Sequence, residues 1–310
     1  MGIDMMSLWM LRGENGGGSS VKPRYQGCIL PRRRFRGVSA SAFAIALFFC
    51  GLAWAGESPI NDAVIRARTF HCEALGRDVS CSVFVPEGAS PDGGWPLVML
   101  LHGAGRNDRT IPDDADCRAL VLRQKFAIVF ADGGLGWYLD SPVEPKSRYQ
   151  SMLRELLENA RRTLPVSSRP ERTGVCGWSM GGYGAMRFAE RFPDQVGAVA
   201  TTIALLDFPN PSLPKEQNFP VSALFGEAPG SWPALSCMTD VEPLRGKALL
   251  IVAARGAFDA RMNRNFHARL DSAGIAHTFE EVDGGHDFPT VRATLPMLFD
   301  FLGERLRSSN

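Results

Sequence analysis

A serine set between glycines, Gly177-Trp178-Ser179-Met180-Gly181, is the pattern through which this chain could do nucleophilic chemistry. A short apolar stretch, Thr173 to Cys176, leads into it, and a helical stretch, Tyr183 to Phe192, leaves it. A strand that turns sharply into a helix lifts the serine hydroxyl clear of the strand end, and flanking glycines relieve the crowding of that turn. The helix that follows aims its unpaired N–H groups at negative charge developing beside the serine. A serine hydroxyl is a weak nucleophile until a base takes its proton. Of the five histidines, His286 lies in Asp283-Gly284-Gly285-His286-Asp287-Phe288, between the last strand pattern and the last helix, where such a base belongs. His277 and His267 fall at a strand start and within a helix and read as structural, and His71 belongs to an early hairpin.

An acid must hold the imidazole in one tautomer and stabilise its cation. Asp259 fits best, following the strand pattern Ala248 to Ala253 and the short loop Arg255-Gly256-Ala257-Phe258; Asp240 and Glu242 are more distant substitutes. An aspartate at that junction can instead serve as a helix N-cap. Oxyanion donors are supplied by Leu101-His102-Gly103-Ala104-Gly105, where the backbone N–H of Ala104 would pair with that of Met180. His102 then shapes this loop. With Trp137 and Tyr138, two aromatic residues in a loop after another strand pattern, it is also a candidate substrate contact, loop packing being the alternative.

These residues need a frame. The run Pro96 to Leu101 is apolar without alternation, as in a strand buried on both faces, and Phe126 to Ala131, Gly174 to Gly177, Val196 to Thr201 and Ala248 to Ala253 repeat that character. Thr278 to Val282 adds an alternating strand. Tyr149 to Leu164, Ala260 to Ala273 and Thr290 to Leu306 carry helical patterns. Strands alternating with helices predict an α/β fold, a mostly parallel central sheet with helices on both faces. Residues 68 to 85 read as two short strands around Gly76-Arg77, and a two-residue turn there would set Cys72 opposite Cys81, either as a disulfide or as two free thiols. The Pro-rich segment Asp207 to Pro243 reads as a cap-like insertion or lid, or equally as a long connection with one or two short helices.

Composition sets the outer bounds. The 310 residues are 45% hydrophobic, enough for a large core, and 34 Lys+Arg against 33 Asp+Glu give a charge of +1, which offers no field to attract nucleic acid. Arg32, Arg33, Arg34 and Arg36 precede the apolar run Val38 to Ala55, which ends in Ala53-Trp54-Ala55, the layout of a secretory signal peptide. Residues 1–55 are therefore expected to be an N-terminal extension and export signal, and 56–310 a single catalytic domain with no membrane span after cleavage. A retained anchor formed by residues 38–55 is the alternative. No Cys/His group has zinc spacing, so no structural metal is expected.

With its segments in this order the chain resembles the esterase D and antigen 85-like esterase family, which includes feruloyl esterases and S-formylglutathione hydrolases. The likeness rests on Leu101-His102-Gly103, Ala131-Asp132-Gly133-Gly134 with Trp137-Tyr138, Gly177 to Ala185, and Gly285-His286-Asp287. It implies an α/β-hydrolase fold, a triad of Ser179, His286 and Asp259, oxyanion donors at Ala104 and Met180, no cofactor, and hydrolysis of carboxylic esters. Ala257 and Phe258 depart from the polar residues more usual before the acid. Export favours a small-molecule or carbohydrate-linked ester over a cytosolic thiol ester. Two alternatives remain: acyl transfer to a sugar hydroxyl, as in antigen 85-like relatives, or a non-catalytic exported binding protein.

Overall fold

The computed structural model describes residues 64–212, 222–226 and 230–307. The export segment, Cys28 and Cys50 lie outside the described residues, as do parts of the 207–243 insertion. Among the described residues eight strands form one sheet: β1 Val64–Cys72, β2 Arg77–Val85, β3 Leu97–Leu101, β4 Ala127–Ala131, β5 Thr173–Trp178, β6 Ala198–Thr202, β7 Ala248–Ala254 and β8 Thr278–Val282. Their order is β1-β2-β4-β3-β5-β6-β7-β8. The β1-β2 and β2-β4 pairs are antiparallel, and every pair from β4 to β8 is parallel.

The unbroken apolar runs become central strands because both sheet faces are covered. In β3, Leu97, Met99 and Leu101 enter one buried cluster, while Val98 and Leu100 enter the other. The first face is covered by α1 (Tyr149–Thr163), α2 (Met180–Arg191) and α3 (Ala260–Ser272), through residues such as Leu153, Met186 and Phe266. The opposite face is covered by α4 (Phe288–Arg307), through Leu295, Leu298 and Leu302, and by the short helix Ala115–Val121. Each such side chain withdrawn from water contributes about 1.5–3 kcal/mol. Among the described residues no helix is long and apolar enough to cross a membrane.

The hairpin differs from the two-residue turn that its sequence predicts. Four residues, Glu73 to Gly76, separate β1 from β2, and Gly76 closes the loop at φ 60° with its N–H on the Glu73 carbonyl. The register consequently sets Cys72 against Arg77 and Cys81 against Arg68. Cys72 and Cys81 are not opposed, and both are free, buried thiols. Burial pushes the Cys72 thiol up to about 11 and the Cys81 thiol up to about 12, so neither is a reactive thiolate at neutral pH.

In the 207–243 segment the described parts include two short helices, Ser222–Phe225 and Trp232–Leu235. Phe208 and Phe225 pack with Trp137 and Tyr183, their ring centroids 4.8 to 6.4 Å apart. The Tyr183 hydroxyl donates to the Leu235 carbonyl at 2.8 Å, and Arg187 donates to the Ala234 carbonyl at 2.9 Å. These contacts fasten the segment to α2.

Candidate active site

The carboxyl ends of β3, β5, β7 and β8 lie along one edge of the sheet, where open α/β folds place their sites. Ser179 stands at the end of β5 and directly before α2, at φ 55° and ψ −123°. Such a backbone is strained for a residue with a side chain and persists only where its surroundings impose it. Two glycines permit it. A Cβ on Gly177 would fall 2.5 Å from the Gly181 carbonyl oxygen, and one on Gly181 would fall 2.1 Å from the Leu101 carbonyl oxygen. Helix α2 starts at Met180, three residues before the helical pattern read at Tyr183, because the turn passes into helix without an intervening loop.

The serine hydroxyl donates to His286 Nε2 at 2.8 Å, and His286 Nδ1 donates to Asp259 Oδ1 at 2.5 Å. The carboxylate can only accept, so the proton on that side belongs to Nδ1, and Nε2 presents its lone pair to the serine. Asp259 is fully buried at the start of α3 and makes no side-chain capping bond, so the N-cap alternative does not describe it. His286 is held in a loop whose Gly284 carbonyl accepts from Gly256 N–H at 2.9 Å and whose Gly285 N–H donates to Thr290 Oγ1 at 3.2 Å. These bonds tie the histidine loop to the end of β7 and the start of α4. Phe258 lies against the imidazole with ring centroids 4.4 Å apart. The apolar residue in the acid's loop therefore covers one face of the histidine.

The loop after β3 runs past the serine, and a Cβ on Gly103 would meet Ser179 Cβ at 3.2 Å. Met180, as the first residue of α2, has an N–H without an acceptor in the preceding turn of helix. Ala104 follows Gly103 in the loop beside it. His102, Trp137 and Tyr138, the other residues expected near the site, all lie in the interior. His102 is buried, with Nδ1 donating to the Gly103 carbonyl at 2.8 Å and Nε2 accepting from Gly133 N–H at 3.0 Å. Both ring nitrogens are thus occupied by the two loops that His102 joins. Trp137 and Tyr138 are also buried, at φ 54° and 51°, and the Tyr138 hydroxyl donates to the His102 carbonyl at 3.3 Å. A Cβ on Gly133 would fall 2.2 Å from the Tyr138 ring, so tyrosine and loop interlock in the interior.

One site residue was not singled out from the sequence for a role of its own. Asn263 is fully buried, and its Nδ2 lies 2.9 Å from Asp259 Oδ2 and 2.8 Å from the Ala204 carbonyl. It links the second carboxylate oxygen to the chain just beyond β6. The signal was available: Asn263 is four residues after Asp259 on a helix, the spacing that stacks two side chains on one face.

A family model described as "Putative esterase" matches residues 72–301. An acetyl esterase of Caldicellulosiruptor saccharolyticus is 27% identical over 220 residues, 67% of this chain and 83% of that protein. Esterase Rv1288 of Mycobacterium tuberculosis (strain ATCC 25618 / H37Rv) is 25% identical over 264 residues, 74% of this chain; the chain spans 57% of that longer protein. Among solved structures, a ferulic acid esterase superposes with a TM-score of 0.67 at 21% identity, covering 79% of this chain and 99% of its own.

Proposed function

We propose, from the premise that this chain belongs to the esterase family of α/β-hydrolases and is a carboxylic ester hydrolase, that Ser179, His286 and Asp259 are its catalytic triad. The observation that carries this reading is the continuous hydrogen-bonded line from Ser179 Oγ through both imidazole nitrogens to a fully buried carboxylate. In the first step the Ser179 oxygen attacks the ester carbonyl carbon while Nε2 of His286 takes the hydroxyl proton. The carbonyl π pair moves onto oxygen, and the N–H groups of Met180 and Ala104 receive that charge; a preorganised donor of this kind contributes about 3–4 kcal/mol. Collapse breaks the bond to the alcohol oxygen, which takes the proton from His286, and leaves an acyl-serine. Water attacks the acyl carbon through the same base, restoring the hydroxyl and releasing the acid. Asp259 keeps the proton on Nδ1 throughout and stabilises the transient imidazolium.

The substrate class that fits is a small carboxylic ester, such as an acetyl or aromatic acyl group carried on carbohydrate. Kinship with an acetyl esterase supports this, as does the signal-like layout of Arg32 to Ala55, which would deliver residues 56–310 to the periplasm or the extracellular space. The test is turnover of p-nitrophenyl esters of increasing acyl length, and of methyl ferulate, by the wild type and Ser179→Ala. The substitution is expected to lower kcat by at least about a thousandfold with the fold intact. Retention of most activity would remove Ser179 as nucleophile.

A further inference from the structure

Away from Ser179, the far ends of α3 and β8 bring together three residues that the esterase reaction does not use. His267 and Asp271 lie one turn apart on the last part of α3, and His277 immediately precedes β8. One nitrogen from each ring and one carboxylate oxygen all lie within 4.8 Å of one another. His267 Nδ1 faces His277 Nε2 at 2.7 Å, while Asp271 is 3.5 Å from His267 Nε2 and 3.9 Å from His277 Nε2.

Each ring is held from behind. His277, with its side chain 3% exposed, donates Nδ1–H to the Ile275 carbonyl at 2.8 Å, which leaves a lone pair on Nε2 pointing at the other two residues. A backbone carbonyl on the far nitrogen is the arrangement that orients a metal-ligating histidine. His267 lies flat on Phe279, centroids 4.4 Å apart and planes within 3°. Its side chain is 35% exposed and that of Asp271 61% exposed, so an ion can reach the group from solvent.

The geometry points to a transition-metal site formed by His267, Asp271 and His277. His277 Nε2 can only accept, so the one proton between the rings, 2.7 Å apart, sits on His267 Nδ1; a divalent ion takes its place when His267 changes tautomer, Nδ1 releasing its proton to solvent while Nε2, which faces Asp271, takes one up, so that both facing nitrogens offer lone pairs. Two nitrogens and one carboxylate suit zinc and its neighbours rather than calcium or magnesium, and water completes the fourth position. Nitrogen ligands at about 2.0–2.1 Å in a tetrahedral set stand about 3.3–3.4 Å apart, so binding opens the pair by roughly 0.6–0.7 Å. His267, on the exposed side, supplies that movement. The bound ion joins the end of α3 to the start of β8, the two elements whose other ends deliver Asp259 and His286. The sequence predicts no structural metal because the ligands are spaced as His-x3-Asp-x5-His, and only the return of the chain into β8 sets the third beside the others.

Equilibrium dialysis of the full chain, first stripped with a chelator, against zinc is expected to give about one ion per chain. Asp271→Asn, at an exposed position, and His267→Ala, at a half-buried one, should each weaken uptake by at least about tenfold. Cobalt in place of zinc should give the visible absorption of a tetrahedral ion in the wild type and lose it in both variants. Thermal melts with zinc should rise for the wild type alone. Absence of stoichiometric uptake by the folded wild type, or uptake unchanged in both folded variants, would overturn the assignment, whatever the ester assay shows.

Discussion

Asp259 occupies the residue before the first turn of α3, where an aspartate ordinarily accepts from that helix's own N–H groups, yet both of its oxygens are engaged elsewhere. Oδ1 accepts from His286 and Oδ2 from Asn263. The carboxylate is thus positioned from two sides, and the two bonds predict different phenotypes. Asp259→Asn keeps the shape but lets the imidazole adopt the wrong tautomer, so kcat should fall by about 10³–10⁴ with little change in urea midpoint. Asn263→Ala removes the donor to a buried oxygen, and should lower stability by about 1–3 kcal/mol and kcat by about tenfold, with KM little altered. Steady-state kinetics and urea titrations of both variants separate the two roles. An Asn263→Ala enzyme with wild-type kcat would show that Asp259 needs only His286 to hold it.

At the scale of elements, the elbow between β5 and α2 depends on absent side chains. A methyl at Gly181 meets backbone at 2.1 Å, and neither partner can rotate away, so Gly181→Ala should cost about 3 kcal/mol or more, or yield no folded protein. Gly76 in the hairpin provides the comparison. A Cβ there has nothing within 4 Å, and only its φ of 60° opposes substitution, so Gly76→Ala should cost about 1–2 kcal/mol and leave ester turnover unchanged. Thermal melts of the two variants check the contrast. The hairpin also shows where local sequence is insufficient. Gly76-Arg77 looks like the centre of a two-residue turn, but the pairing of Cys72 with Arg77 is fixed by the whole strand register, which places Val79, Cys81 and Val83 on the buried face.

At the scale of the whole molecule, the buried ion pair of Arg187 and Glu190 should have an effect on stability that is measurable against pH. Arg187 donates to Glu190 at 2.6 Å and to the Ala234 carbonyl of the 207–243 segment, and burial pushes the Glu190 carboxyl up to about 8 despite its partner. A carboxyl raised above its unfolded value of 4.5 binds its proton more tightly in the folded state. Its stabilising contribution is therefore complete below that value and is lost as pH rises toward about 8. Glu190→Gln, which cannot titrate, should lose less stability than the wild type between about pH 5 and about pH 8 in urea titrations. Equal losses would show that the pair stays ionised throughout. Sequence alone determined the order of the strands and of the four long helices, the serine turn and the histidine loop, because periodicity and glycine placement act over a few residues; the short helix Ala115–Val121 carried no such signal. It also fixed the central strands, since unbroken apolar runs can be buried only between two covered faces. Tertiary structure alone decided that Asp259 turns to a histidine instead of capping its helix, and that Trp137 and Tyr138 sit in the interior. It likewise brought His267 to His277. Each outcome depends on which distant backbone lies beside the residue, a property of chain packing that neither residue type nor spacing contains.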